Sequence, residues 1–488
     1  MEESIKWDVT PLSFLKTRKN RMKELLKHFF VYGISATIGK FIAFFLLPIY
    51  ASIFTPTDYG NLDFILSLNS IIAIFGMFQI ESGLQRFYYE QDNDKEQKHL
   101  LSTAFNFTLV CSVIITILSI FSISYISRTF FDNGYSTELL IAFLSILPNN
   151  LIVIIYVFLR FQKKSLAYSI FTITHVLLSA ILTIIAVLYY DFGIMGVVVS
   201  GTLSSYIILT IALLSMSKSI DLFYFDISKL KLMFSYSAPQ FPARIGSVAN
   251  VYANRFFMMS MLSAASLGLY SVSLRVASGM QLIQNAFILT WLPFFYEILK
   301  KEDFHQRFQE VYKYSIIFLS LIVIVLGLFS KEIILFLTNE EYIESYKMVS
   351  ILAFYYALFI FKEIVDVGVK VTNKTKYNSY IYLSVSFINI GLLFIFIPLY
   401  GLYGVCISLL LSNLLLFILT MWNSVILYPS LRFPISFTLF WIGMTSVFVV
   451  LLMYKEFAFQ YRFLVSCIVV FPSMIVLLRK IKLPKKHN

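Results

Sequence analysis

Charge is scarce in this chain. Of 488 residues only 14% are charged, while 59% are hydrophobic and 17% aromatic, a balance that excludes an ordinary soluble domain. Cysteine is scarcer still, with Cys111, Cys406 and Cys467 widely separated and each inside an apolar run. That odd number and spacing exclude a closed disulfide framework and a zinc site, so packing thiols, no metal site and no cofactor are expected. Catalytic signatures are missing as well. There is no Ser/His/Asp arrangement, HExxH, Walker A motif or pair of loop carboxylates, so no catalytic residue is assigned and the chain is not expected to be an enzyme. A basic stretch of about 27 residues precedes the first apolar run without a small-residue cleavage site, and no cleaved signal peptide is expected. The formal charge of +12 is scattered through short loops with no recognition motif, which excludes nucleic acid as a partner.

What is present is a series of apolar runs, each long enough to cross about 30 Å of hydrocarbon. Fourteen can be drawn, over 28–53, 61–85, 101–124, 138–159, 166–188, 194–216, 234–261, 268–296, 312–330, 348–369, 377–398, 402–424, 436–454 and 462–478. With both termini in the cytoplasm, 29 of the 39 Lys and Arg fall in inner segments, five in outer loops and five inside spans. Such asymmetry is the positive-inside pattern, and losing one span would invert every later loop. The outer connections at 54–60, 189–193, 262–267 and 398–401 leave no room for an extracellular domain. The expected fold class is an all-α, multi-pass integral membrane protein of 14 transmembrane helices.

An internal repeat divides the spans. At an offset of 208 residues Gly60 falls on Gly268 and Phe87-Tyr88 on Phe295-Tyr296, and Gly193-x-x-Gly196-Val197-x-x-Ser200 falls on Gly401-x-x-Gly404-Val405-x-x-Ser408; Tyr168 matches Tyr377 with a slip of one. A nearly constant offset over six spans predicts two six-helix bundles of the same orientation, related by a pseudo-two-fold axis along the membrane normal, plus two extra C-terminal helices. The chain is divided accordingly into a basic cytoplasmic segment 1–27, an N-lobe 28–217, a C-lobe 218–425, helices 13 and 14 within 426–479, and a basic cytoplasmic tail 480–488. Two homologous bundles flanking a cleft suit alternating access.

The five cations left inside spans are Lys40, Arg244, Arg255, Arg275 and Lys362. Each costs roughly 2.5–3.5 kcal/mol near a bilayer centre on insertion scales, so a water-filled cleft and an anionic ligand are expected. Arginine's planar fork matches phosphate oxygens and stays charged, which makes a phosphate or diphosphate headgroup the natural ligand. The bland alternative is bracing by carboxylates. Glu81, Glu363 and Asp366 lie within spans and are also the candidates for coupling to H+ or Na+; Asp63 lies near an end. Lys362, Asp366 and Lys370 form one helical stripe, equally suited to bracing and to function. Arg244, Arg255 and Arg275 have no carboxylate within a turn, which favours the cleft. His175 reads as a packing histidine, the Pro239/Pro242 pair as a kink, and the Gly-x-x-Gly turns as tight outer corners.

Three segments carry a family resemblance. LLPIYASIFTPTDYG at 46–60, ESGLQRFYYE at 81–90, and APQFPARIGSVANVYANRFFMMS with GLYSVSLRVASGMQLIQNAFILTWLPFFY within 238–296 look like the first hairpin, the second-span ending and the seventh and eighth spans of Wzx-type polysaccharide (oligosaccharide) flippases of the MOP exporter superfamily. The resemblance implies a V-shaped pair of six-helix bundles flipping undecaprenyl-diphosphate-linked oligosaccharide, a repeat unit of O-antigen, capsule or exopolysaccharide, across the bacterial plasma (inner) membrane. It carries over Arg86, Arg255 and Arg275 as motif positions; Lys40, Arg244 and Lys362 join them on depth alone. One departure is Asn254-Arg255, where members often have Asp-Arg, so Arg255 lacks its usual neighbour. Expected partners are the lipid-linked oligosaccharide, membrane lipids, and the polysaccharide polymerase and glycosyltransferases of the same pathway. Two alternatives stand beside this: a lipid II (peptidoglycan precursor) flippase, and a MATE-type cation-coupled drug exporter, which the excess of intramembrane cations disfavours.

Overall fold

The computed structural model describes residues 38–39, 41–42, 44–217, 219–299, 301–372, 374, 376–454 and 460. All regular structure among them is helical. A short apolar helix α1 (Phe44–Ile53) leads into α2 (Pro56–Met77), α3 (Ile80–Phe87), α4 (Asp94–Phe130), α5 (Ser136–Leu144), α6 (Ile146–Phe161), α7 (Ser165–Ile184) and α8 (Gly193–Ser215). The second series is α9 (Ile227–Ser237), α10 (Phe241–Met261), α11 (Ala264–Ala277), α12 (Met280–Ile298), α13 (Phe304–Leu328), α14 (Ser330–Leu337), α15 (Tyr346–Val365), α16 (Val367–Thr372), α17 (Lys376–Tyr400), α18 (Leu402–Leu427) and α19 (Ile435–Tyr454).

Ten helical stretches among the described residues are long and apolar enough to cross a membrane. They coincide with the expected spans two to six and nine to thirteen. Only part of span one is described, and span fourteen lies outside the described residues, as does Cys467. The kink expected at Pro239 and Pro242 falls at the start of span seven: residues 234–237 belong to helix α9, a 3-10 turn follows at Ala238–Gln240, and α10 begins at Phe241 with Pro242 in its first turn. The stretch 268–296, expected as one span, is divided at Ser278–Gly279 between α11 and α12.

The start of α2 shows how local sequence sets an element. Thr55 and Asp58 form a reciprocal capping box around Pro56 at the first helical position, which satisfies amide groups left open at the helix start. The helix therefore begins five residues before the expected 61. It ends where Phe78 and Gln79 both adopt left-handed backbone, and α3 continues the span at an angle.

Helices α2 and α4–α8 pack on one another, as do α10, α11, α13, α15, α17, α18 and α19. The repeat is visible in backbone detail. Gly193 and Gly401 both turn with positive φ (53° and 56°), and two turns later Ser200 and Ser408 donate to the Gly196 and Gly404 carbonyls at 2.6 and 2.7 Å. The two groups meet chiefly where α2 crosses α11. Gly60 and Gly268, equivalent by the repeat, sit at that crossing. A Cβ on Gly60 would lie 1.8 Å from the Ala264 carbonyl oxygen, and one on Gly268 would lie 1.9 Å from that of Pro56. The crossing is thus a local two-fold relation held by two missing side chains. Tyr342 and Asn339 extend the same end by donating to the Phe54 and Ala51 carbonyls at 2.8 and 2.9 Å. In the orientation expected from the loop charges this is the outer end, and 'outer' and 'inner' are used in that sense. The inner half of the span, α12, packs instead on α13 and α15 of its own group.

The segment joining the groups is strapped to the first. Asn106 donates to the Asp221 and Tyr224 carbonyls, Lys229 reaches Glu96 at 2.5 Å, and the Gly83 amide donates to Ser237 Oγ at 3.0 Å. The chain therefore changes sides at the proline-flanked turn.

Candidate functional site

Arg255 lies on α10 about 9 Å from its outer end, counted at 1.5 Å per residue. Its Nε donates to Asp63 Oδ2 at 3.0 Å, its Nη1 donates to the Val251 carbonyl at 2.6 Å, and its guanidinium lies 5.2 Å from the Tyr252 ring centroid and 5.9 Å from that of Tyr270. Asp63 comes from α2, across the boundary between the two groups. The expectation that Asp63 lies near a span end is corrected: with the helix starting at Pro56 it is about 10 Å inside. Arg275, on α11, has Tyr59, Asp63 and Tyr50 as its electrostatic neighbours, and Tyr59 is a hydrogen-bond partner. Asp63 pairs with Arg255, and Arg275 lies within its electrostatic reach. Arg255 is 7% exposed, so its ion pair is nearly closed to solvent. Two cations against one carboxylate leave this boundary one charge positive.

A second cluster surrounds Lys362. Its ammonium lies 3.0 Å from Glu363 Oε1, 3.6 Å from Asp366 Oδ2 and 5.1 Å from the Tyr382 ring centroid. Lys370 donates to the Glu363 carbonyl at 2.8 Å and lies 3.6 Å from its carboxylate. Asn378 donates to both Asp366 oxygens at 3.2 and 3.0 Å. The helix is interrupted here between α15 and α16, and Ser424 of α18 supports the interruption by donating to the Val365 carbonyl at 2.5 Å and accepting from the Gly368 amide at 3.1 Å. Two lysines against two carboxylates make a neutral, mutually satisfied network, which is the bracing half of the expectation for this stripe. Lys362→Met leaves both carboxylates dependent on Lys370 alone. Removing one partner of a buried pair costs about 3–5 kcal/mol, so a clear fall in thermal unfolding midpoint in lipid nanodiscs is expected, and an unchanged midpoint would show that the network does not brace the fold.

The third grouping is Glu81 with Arg244. Glu81 sits at the start of α3 with Oε2 buried and unpartnered, and Arg244 is the cation whose field reaches it. Arg244 itself is exposed near the start of α10. Arg86 stands apart, exposed at the inner end of α3, paired with Glu90 and lying 5.5 Å from the Phe87 ring centroid. Lys40 lies outside the described residues. The six expected cations therefore do not form one group. Asp63 and Tyr59 join Arg255 and Arg275 in the structure without having been singled out from the sequence; the capping box at Thr55 is the signal that moves Asp63 inward. His175 hydrogen-bonds Ser205 at 3.1 Å, as a packing histidine does, and Cys111 and Cys406 are free thiols. No cluster of three or more His, Cys, Asp or Glu occurs among the described residues.

An internally repeated helical bundle with interrupted spans and buried charge at the boundary of its halves is an architecture in which transporters are built. A family profile described as "Polysaccharide biosynthesis protein" matches residues 49–295, and the chain belongs to that family. Among solved structures the fold is similar to the lipid II flippase MurJ in an inward closed conformation, at 18% identity and TM-score 0.69, covering 93% of this chain and 99% of that one. It is similar to an inward-facing multidrug resistance MATE transporter of the MOP superfamily, at 14% identity and TM-score 0.62 over 81% of this chain and 98% of that one. The Vibrio cholerae MATE transporter VcmN in its bent form is a third, at 14% identity and TM-score 0.54 over 87% and 98%. No curated protein matches the chain.

Proposed function

We propose that this protein flips an undecaprenyl-diphosphate-linked oligosaccharide across the bacterial inner membrane by alternating access, with both termini cytoplasmic and fourteen spans in the lobes 28–217 and 218–425 and the C-terminal pair. The observation that carries the reading is the buried Arg255–Asp63 ion pair across the inter-lobe boundary, with Arg275 on the neighbouring helix α11. Arginine forks suit the non-bridging oxygens of a diphosphate, while the prenyl tail stays in the bilayer. Arg244, near the start of α10, and Lys40, on its place in the sequence alone, are further candidates for guiding the anion, and Glu81, Glu363 and Asp366 are the carboxylates available for coupling to H+ or Na+. The polymerase and glycosyltransferases of the same pathway act on either side of the step.

Arg255→Ala and Arg275→Ala are expected to cut export of the lipid-linked glycan by about tenfold or more each, since loss of a charge-assisted contact is worth about 1.5–3 kcal/mol. The measurement is surface glycan at matched protein level in a deletion strain. Full export by both variants would sink the reading. The likeness to a lipid II flippase favours a second reading with the same diphosphate carrier. Rescue of cells depleted of their own lipid II flippase, without effect on surface polysaccharide, would select it.

A further inference from the structure

Between α10, α15 and α17, within the second group of helices, lies a cavity of about 460 Å³. Its size is within the roughly 300–1,000 Å³ of small-molecule sites. Tyr355, Phe359 and Tyr382 give it aromatic walls, Asn378 and Ser247 give it polar ones, and Val251 places it one helical turn from Arg255, whose guanidinium holds the Val251 carbonyl. We infer that this cavity receives the sugar residues next to the diphosphate, and so sets which glycan is carried. The inference rests on the flippase reading and adds the subsite that would read the glycan.

Three observations select a sugar. Aromatic rings interleaved with amide and hydroxyl groups match a ligand with apolar C–H faces and hydroxyl edges; a prenyl chain would leave Asn378 and Ser247 facing hydrocarbon. Second, the charged network beside the cavity is internally neutral, with Lys362 and Lys370 answered by Glu363 and Asp366, so this wall attracts no second anion. Third, Asn378 spends its amide hydrogens on Asp366, and its Oδ1 is buried with no partner. A buried acceptor without a donor is costly, so Asn378 is the group of this wall with an unmet hydrogen bond. Lys362 fixes the other side by lying against the Tyr382 ring. The network is thereby a frame that orients Asn378 and Tyr382.

The test measures binding to the purified full-length protein in nanodiscs with two probes, undecaprenyl diphosphate and the undecaprenyl-diphosphate-linked oligosaccharide extracted from the host strain. Wild-type protein is expected to bind the glycosylated lipid at least tenfold more tightly. Asn378→Leu and Tyr382→Ala should bring that ratio near one and leave affinity for the bare lipid within about twofold. An unchanged ratio in both variants overturns the cavity assignment alone. Equal weakening of both lipids assigns the cavity to the prenyl chain and overturns it too. Failure of the wild type to bind either lipid overturns the flippase reading with it. Unfolding midpoints of both variants, checked against wild type, separate loss of binding from loss of fold.

Discussion

Gly60→Val and Gly268→Val are each expected to abolish transport while leaving an inserted, folded protein open at its outer end. At both positions the first atom of any side chain falls on a carbonyl of the opposite helix, 1.8 and 1.9 Å away, and a backbone oxygen inside a helix cannot turn aside. The helices α2 and α11 must then part. Overpacking a core costs about 1–3 kcal/mol, and at the upper figure the closed population falls about 150-fold. Each six-helix bundle keeps its own packing, so the cost falls on the boundary rather than on the fold. Alanine carries the same Cβ and should act in the same direction. The readout is labelling by a membrane-impermeant maleimide of a cysteine at Ser271, buried in the closed state, in a background lacking Cys111, Cys406 and Cys467. Labelling should rise in the glycine variants as export disappears. Normal export by Gly60→Ala together with Gly268→Ala would show that this crossing does not have to close.

Most of the scaffold is legible in the chain because membrane helices need long apolar runs, and the glycines that recur at 60/268 and 193/401 do the same physical work in each half. Legibility fails where backbone and hydropathy disagree. The interruption at Ser278–Gly279 lies in an apolar run with no proline to announce it, and α9 continues into the run that was read as span seven because helices of both kinds share a local pattern. The site was half visible. Arg255 and Arg275 stand out by the cost of their burial, but the partner of Arg255 is 192 residues away, and no local periodicity reports such a pair. The repeat adds a clue that only the structure makes useful. At the 208-residue offset Leu47, Ser67 and Ile154 stand where the second half has Arg255, Arg275 and Lys362, and Ser271 stands opposite Asp63. A symmetric scaffold thus carries Arg255 and Arg275 on one side and Asp63 on the other, while Lys362 finds its carboxylates in its own half.

That division makes Asp63 a competitor for the anion that the arginines are proposed to hold. Asp63→Asn is expected to tighten binding of undecaprenyl diphosphate and to slow export. Arg255 is held by the carboxylate at 3.0 Å, and a diphosphate must displace it. Relieving that competition at a partly open site corresponds to the lower end of the usual 1–3 kcal/mol for coupled sites, an affinity gain of about fivefold to tenfold. The cost appears in the empty carrier. With Asp63 neutral, closing the outer end confines Arg255 and Arg275 without a counter-charge, and an unpaired buried charge is strongly unfavourable. The return step is then slowed, and export should fall by at least tenfold while the lipid accumulates on the protein. Tighter binding with slower turnover is the signature that separates a competitor from a structural brace, whose loss weakens both. Equilibrium binding in nanodiscs and export in cells, measured on the same variant, decide it: weaker binding by Asp63→Asn would mean that the carboxylate orients the arginines for the anion instead of standing in its place.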